Sequence, residues 1–282
     1  MWHIIGSTSQ LAKLFIETIP PRQPFETYCR DGSGDHIIDM TDPDSFKNLI
    51  ISDGDRVIIF AAISSPDICT NHYDEAYAVN VRGTSELIRY SLERGARILF
   101  YSSDTVIGNT KKEPVDEHYK PQPVGIYATM KRMIEKEFEN EPHFKTIRLS
   151  YVYTGKDNYS SYLNSCVSNK KTAEVFDSFY RNVVYYKDVM DASVAVLLNY
   201  DDIQTSIIHL SGPELLSRLD IAACYKEVIN NELSIKTVEP PVDFFVSRPP
   251  VISTTSLYLE GVLGRKPTEL KDAMSDILKS GL

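Results

Sequence analysis

Tyr127 and Lys131 stand four residues apart in the stretch YATMK. On a helix that interval puts a phenol and an ammonium on one face. A phenol ionises near pH 10 and a nearby cation favours its phenolate, so such a pair can exchange a proton with a reacting oxygen. Among 17 tyrosines in 282 residues about one such pair arises by chance, so the spacing alone discriminates little. Position adds the discrimination. The apolar run RILFYS ends in Ser102-Ser103, one loop upstream of the pair. If that run is a strand, the Ser103 hydroxyl sits at its carboxyl end, ready to donate to an oxygen that gains negative charge.

The surrounding sequence must position these three groups. Short β-rich apolar runs alternate with amphipathic stretches: Trp2–Ile5 then Leu11–Thr18, Phe25–Cys29, Val57–Ala61 then Ala76–Glu93, Ile98–Tyr101 then Tyr127–Phe138, and Thr146–Tyr151. VIIFAA and RILFYS are apolar on both faces, as a parallel sheet covered by helices requires. The expected fold class is α/β: a doubly wound parallel sheet (Rossmann fold) with a smaller C-terminal substrate-binding lobe and an active site at the strands' carboxyl ends. Residues 1–155 form the expected doubly wound domain, with a strand and helix added from about 182–212. Residues 156–181 and 213–282 form the lobe, with helices near Leu219–Asn230 and Glu269–Lys279.

A hydrophobic fraction of 42% with 24% charged residues is that of an ordinary globular chain. The net charge of −9 argues against nucleic acid or an anionic membrane as partner, so any phosphate site must be local. The longest wholly apolar run, Val57 to Ile63, falls far short of the ~20 residues that span a bilayer. The opening MWHIIGSTSQ lacks a signal peptide's basic start, and a cytoplasmic location is expected. Cysteines 29, 69, 166 and 224 lack the spacing of a metal knuckle, so no metal and no disulfide framework is expected.

Directly after the first strand, Gly6-Ser7-Thr8-Ser9-Gln10-Leu11-Ala12 occupies the place of a phosphate-binding turn. It has one glycine where three are usual, with Ser9 and Ala12 as small substitutes, and an ordinary capped turn is the competing reading. At the end of the second strand, Arg30 suits a ribose 2′-phosphate and favours NADP(H). Asp31 beside it keeps NAD(H) open, as does a reading of Arg30 as a solvated loop charge.

Four further segments make the chain resemble the extended short-chain dehydrogenase/reductases: Asp39-Met40-Thr41-Asp42, Ala61-Ala62, Asn80-Val81-x-Gly83-Thr84 and Ser102-Ser103, in that order and ahead of YATMK. The resemblance implies that Asp39 and Met40 hold the adenine, that Ala61 and Ala62 flank the dinucleotide, and that Asn80 supports it. It further implies Tyr127 as proton donor, Ser103 as carbonyl binder and Lys131 as anchor of the nicotinamide ribose. YRNVVYYKDVMDA and SRPP place Arg181 and Arg248 where enzymes of this family contact a substrate diphosphate, with a structural cap and a loop ion pair as the plainer roles.

Over nearly the full length, GSTSQLA, YSSDTV, IRLSYVY, IHLSGPELLS and SRPPVIST are most similar to the dTDP-4-dehydrorhamnose reductase branch. That likeness implies NAD(P)H-dependent reduction of a 4-keto group on a nucleotide-activated deoxysugar. Asp104-Thr105 lacks the paired acids of the dehydratases, leaving Asp104 as an auxiliary polar group near the substrate. A nucleotide-sugar 4-epimerase, and a regulatory subunit that binds NADP without turnover, remain as alternatives. The expected partner is the nucleotide-sugar, and a homodimer stays open.

Overall fold

The computed structural model describes residues 1–280. Its strands are β1 (Trp2–Ile5), β2 (Phe25–Cys29), β3 (His36–Ile37), β4 (Arg56–Ile59), β5 (Arg97–Ser103), β6 (Phe144–Leu149), β7 (Tyr151–Tyr153), β8 (Ala173–Val175), β9 (Tyr180–Tyr185), β10 (Ile207–Leu210), β11 (Leu215–Ser217), β12 (Ile235–Thr237) and β13 (Val251–Ile252). Its helices are α1 (Gln10–Thr18), α2 (Pro66–Asn71), α3 (Tyr73–Tyr77), α4 (Thr84–Leu92), α5 (Ile126–Glu137), α6 (Asn158–Ser168), α7 (Tyr186–Leu198), α8 (Arg218–Val228), α9 (Leu259–Leu263) and α10 (Leu270–Ser280).

A seven-stranded sheet runs in the order β10-β6-β5-β4-β1-β2-β3. The registers Ile5↔Tyr28, Ile5↔Ile59 and Ile59↔Phe100 are parallel, and the order is that of a doubly wound sheet. Strand order reverses between β1 and β4, which opens a crevice at their carboxyl ends. β4 and β5 are apolar on both faces over their buried length, as a sheet covered by helices requires, and Ile4, Val57, Ile58, Ile98 and Leu99 are fully buried.

Two local features explain motifs seen in the sequence. Gly6 has φ +82°, and a Cβ there would lie 2.5 Å from the Ala61 amide nitrogen, so the first turn and the β4 terminus meet at a distance only glycine permits. Residues Ala78–Gly83 form a π-helical turn between α3 and α4, and a Cβ on Gly83 would lie 1.7 Å from the Met40 carbonyl oxygen. The pairing of Met40 with Gly83 in the sequence is thus a steric fit.

The chain divides into two compact units: 1–106, 123–148 and 193–208 in the first; 107–122, 149–192 and 209–282 in the second. The division differs from the expected domain boundaries at 107–122, 149–155, 182–192 and 209–212. Residues 107–122 belong to the second unit because the buried Glu117 carboxylate accepts from the His209 and Leu257 amides at 2.9 and 3.0 Å. Residues 149–155 and 182–192 belong there as well, since β7 pairs with β9, and β9 pairs with β11 and β13 instead of joining the large sheet. No described helix is long and apolar enough to cross a membrane.

Candidate active site

Ser103 ends β5, and the strand passes into a single 3₁₀ turn at Asp104–Val106. The Ser103 Oγ, nearly buried, accepts from the Thr105 amide at 3.2 Å and from the Thr105 hydroxyl at 2.9 Å. Its proton points toward Asp104 Oδ1 at 3.3 Å. Thr105 is the residue that sequence reasoning missed here. Its adjacency to Ser103-Asp104 was the available signal, since a hydroxyl two residues on is placed to hold the serine rotamer.

Tyr127 and Lys131 occupy the first two turns of α5, which packs against β5 and the turn after it. The expected shared face is observed: Lys131 Nζ lies 5.9 Å from the Tyr127 ring centroid and 4.6 Å from that of Phe100. Its ammonium donates to the Tyr101 carbonyl at 2.8 Å. Below it, Glu135 accepts from Ser102 Oγ at 2.6 Å and from Arg148 Nε and a terminal nitrogen at 3.1 and 2.9 Å. This buried network clamps α5 to β5 and β6.

The electrostatics depart from the expectation that Lys131 pulls the Tyr127 phenol down. Burial pushes Tyr127 above the ordinary phenol value, and the charges of Cys69 and Asp104 push it further. Burial also lowers Lys131 to about 8, with Glu135 and Cys69 pulling back up. Desolvation outweighs the pair's mutual influence in the protein alone, so Tyr127 holds its proton at every working pH.

A pH dependence follows. If the cationic form of Lys131 is the active one, kcat/KM should be level below pH 8 and fall as pH rises through about 8, in the range where this ammonium ionises. The stability effect has the opposite sign. A folded pKa below the unfolded value of 10.5 means the unfolded chain binds more protons, so stability should rise between pH 8 and 10.5 as the buried charge is lost. A rate profile that stays level to pH 10 would remove Lys131's charge from the mechanism.

Still in the first unit, a cavity of about 310 Å³ lies at the carboxyl ends of β1, β2 and β4. Gly6, Ser9, Arg30, Asp39, Met40, Ala61 and Ala62 all line it, bringing seven expected cofactor residues together. Ser9 also caps α1, its Oγ accepting from the Ala12 amide at 3.2 Å, so the capped-turn reading describes part of its role. Gln10 and Leu11 are the first residues of α1. Asn80 acts one step back: its side chain accepts from the Ile63 amide at 2.8 Å and donates to the Ile63 carbonyl at 2.9 Å, bracing the loop that carries Ala61 and Ala62. Asp39 accepts from the Thr41 amide and hydroxyl; burial would raise its carboxyl, but these bonds and Arg30 hold it below the usual range. The Gly6–Ala61 approach and the amides at the α1 N-terminus suit a dinucleotide pyrophosphate, and Arg30 suits a 2′-phosphate.

The matching family is the RmlD substrate binding domain, whose sequence pattern covers residues 3–278. The chain belongs to that family. This RmlD-family chain is 28% identical over 188 residues to a dTDP-4-dehydrorhamnose reductase of Mycobacterium tuberculosis, a match covering 64% of this chain. It spans about 60% of that relative's length. Its fold is shared with a dTDP-4-dehydrorhamnose reductase from Clostridium acetobutylicum (TM-score 0.86, 17% identity, 99% and 98% of the two chains). A dTDP-4-dehydrorhamnose reductase from Bacillus anthracis in complex with NADP also shares it (TM-score 0.82, 19% identity, 100% and 99%).

Within the second unit of this RmlD-family chain, Arg181 and Arg248 meet one aromatic cluster. Arg181 lies 4.0 Å over Phe179, Phe179 packs edge-on against Phe244 at 5.3 Å, and Arg248 lies 5.2 Å from Phe244. Arg181 is buried and donates to the carbonyls of Tyr180 and Pro249 at 2.6 and 2.8 Å, the structural tie that had been its plainer reading. Arg248 donates to Ser247 Oγ at 3.3 Å. A third guanidinium, Arg218, reaches the same Phe179 at 5.6 Å. Sequence reasoning passed over it because it stands just ahead of the expected helix, in no motif.

Proposed function

We propose that the chain is an NADP(H)-dependent reductase of the 4-keto group of a nucleotide-activated deoxysugar, of the dTDP-4-dehydrorhamnose type. The observation that carries the reading is a phenol held neutral one helical turn ahead of a buried ammonium, on a helix packed against the strand that ends in Ser103. The NADP bound to the B. anthracis protein and the reductase name of the M. tuberculosis relative support it.

When bound, the reduced nicotinamide supplies the hydride. Tyr127 gives its proton to the oxygen of the reduced carbonyl, and its raised pKa keeps that proton available before the reaction. Ser103 donates to the same oxygen, with Thr105 fixing its hydroxyl from the acceptor side. Lys131 holds the nicotinamide ribose and stabilises the tyrosinate left behind. Asp104 accepts the Ser103 proton until the substrate oxygen takes its place, and Arg181 and Arg248 flank the aromatic surface that takes the nucleotide diphosphate.

Consumption of NADPH at 340 nm with dTDP-4-keto-6-deoxy sugar tests the reading directly. Turnover is expected; cofactor binding without it would move the chain to a non-catalytic role. For the cofactor choice, Arg30→Ala should raise KM for NADPH by about tenfold and leave that for NADH unchanged, the loss expected for one charge-assisted contact. Equal effects on both would make Arg30 a loop charge.

A further inference from the structure

Arg218 is placed as a receptor, not as a tie. Its guanidinium lies 4.1 Å from the Tyr159 ring, 5.4 Å from Tyr151 and 5.6 Å from Phe179, so three aromatic faces hold the planar fork. Those faces are themselves fixed. Tyr159 donates its hydroxyl to the Arg218 carbonyl at 2.7 Å, and Tyr151 donates to Asp157. Among the described residues, no hydrogen-bond acceptor and no carboxylate pairs with the Arg218 side chain. Nearby acids are engaged elsewhere: Asp220 accepts from the Ser217 amide and hydroxyl at 2.8 Å each, closing a capping box, and Asp157 accepts from the Tyr159 and Ser160 amides at 3.1 and 3.0 Å.

Two physical costs make this arrangement informative. Arg218 is the first residue of α8, where the helix dipole disfavours a cation. It also shares the Phe179 ring with Arg181, so two like charges converge on one ring. A half-buried guanidinium that meets both costs, with its five donors unspent, is relieved by an anion.

We propose that Arg218 is the principal anion-binding residue of the second unit and that it grips the diphosphate of a nucleoside diphosphate ligand. The assignment of the anion to a nucleotide rests on the reductase reading; the anion site itself rests on the geometry alone. Arg181, with its donors spent on carbonyls, then shapes the aromatic floor, and Arg248 guards the Phe244 side.

The test is calorimetric titration of the full chain with dTDP, thymidine and inorganic pyrophosphate, in the wild type, Arg218→Gln and Arg218→Lys, each checked for unchanged circular dichroism. Arg218→Gln should weaken dTDP and pyrophosphate by about 10- to 100-fold, the loss of charge-assisted hydrogen bonds, and leave thymidine and NADPH binding unchanged. Arg218→Lys, which keeps the charge but not the fork, should fall between. In turnover the loss should appear in KM for the sugar nucleotide with kcat retained. Pyrophosphate binding that depends on Arg218 without any preference for dTDP would uphold the anion site and overturn the nucleotide reading. Wild-type affinity for pyrophosphate in both variants, or none in any protein, would overturn the proposal.

Discussion

Tyr127→Phe should reduce turnover by at least about 10²-fold, the usual worth of a positioned general acid, while NADPH binds as before. The ring survives the substitution, so its packing on α5 and the 5.9 Å relation to Lys131 persist, and only the proton is removed. Because burial holds the phenol above its ordinary value, the variant loses a group that is fully protonated at working pH. Its residual rate should therefore show no new acid limb in the pH profile. Single-turnover measurements at 340 nm with saturating NADPH check this, and an unchanged rate would take Tyr127 out of the chemistry.

The second large effect concerns stability. Glu135 and Arg148 are each nearly inaccessible, and the carboxylate serves Ser102, Arg132 and Arg148 at once. Glu135→Ala strands the Arg148 charge in the interior, which should cost about 3–5 kcal/mol in urea unfolding. Replacing both partners with apolar residues of similar volume should cost far less, because no charge is left without its counterpart. If the single variant loses less than 1 kcal/mol, water reaches Arg148 and the clamp on α5 is weaker than its geometry implies.

Much of the first unit was legible because its elements are local. β1 and β2 fall on the expected Trp2–Ile5 and Phe25–Cys29, since each is a short run rich in β-branched and aromatic residues that stops at a turn. The convergence of Gly6, Arg30, Asp39 and Ala61 on one cavity was legible through the strand order, which places every carboxyl end on one edge. What escaped depends on neighbours distant in sequence. The 107–122 segment could not be assigned without seeing Glu117 accept from residues some 90 and 140 positions away. The burial of Tyr127 escaped because sequence shows the cation at i+4 but not the packing that, in the protein alone, raises the phenol. Arg218 escaped because its three rings come from separate stretches of the chain.

The β2–β3 margin of the large sheet also has a bearing on self-association. β3 offers only two residues, His36 and Ile37, so the ladder stops at Tyr28 and Cys29. The next outward amide on β2, that of Thr27, is taken by the Asp35 carboxylate at 2.9 Å, which also accepts the Thr27 hydroxyl. A carboxylate thus stands where an incoming strand would place a carbonyl, and like charge would meet any acidic segment that approached. Strand addition at this rim therefore finds no free backbone donor at Thr27, and the carboxylate that takes it blunts this part of the sheet's edge.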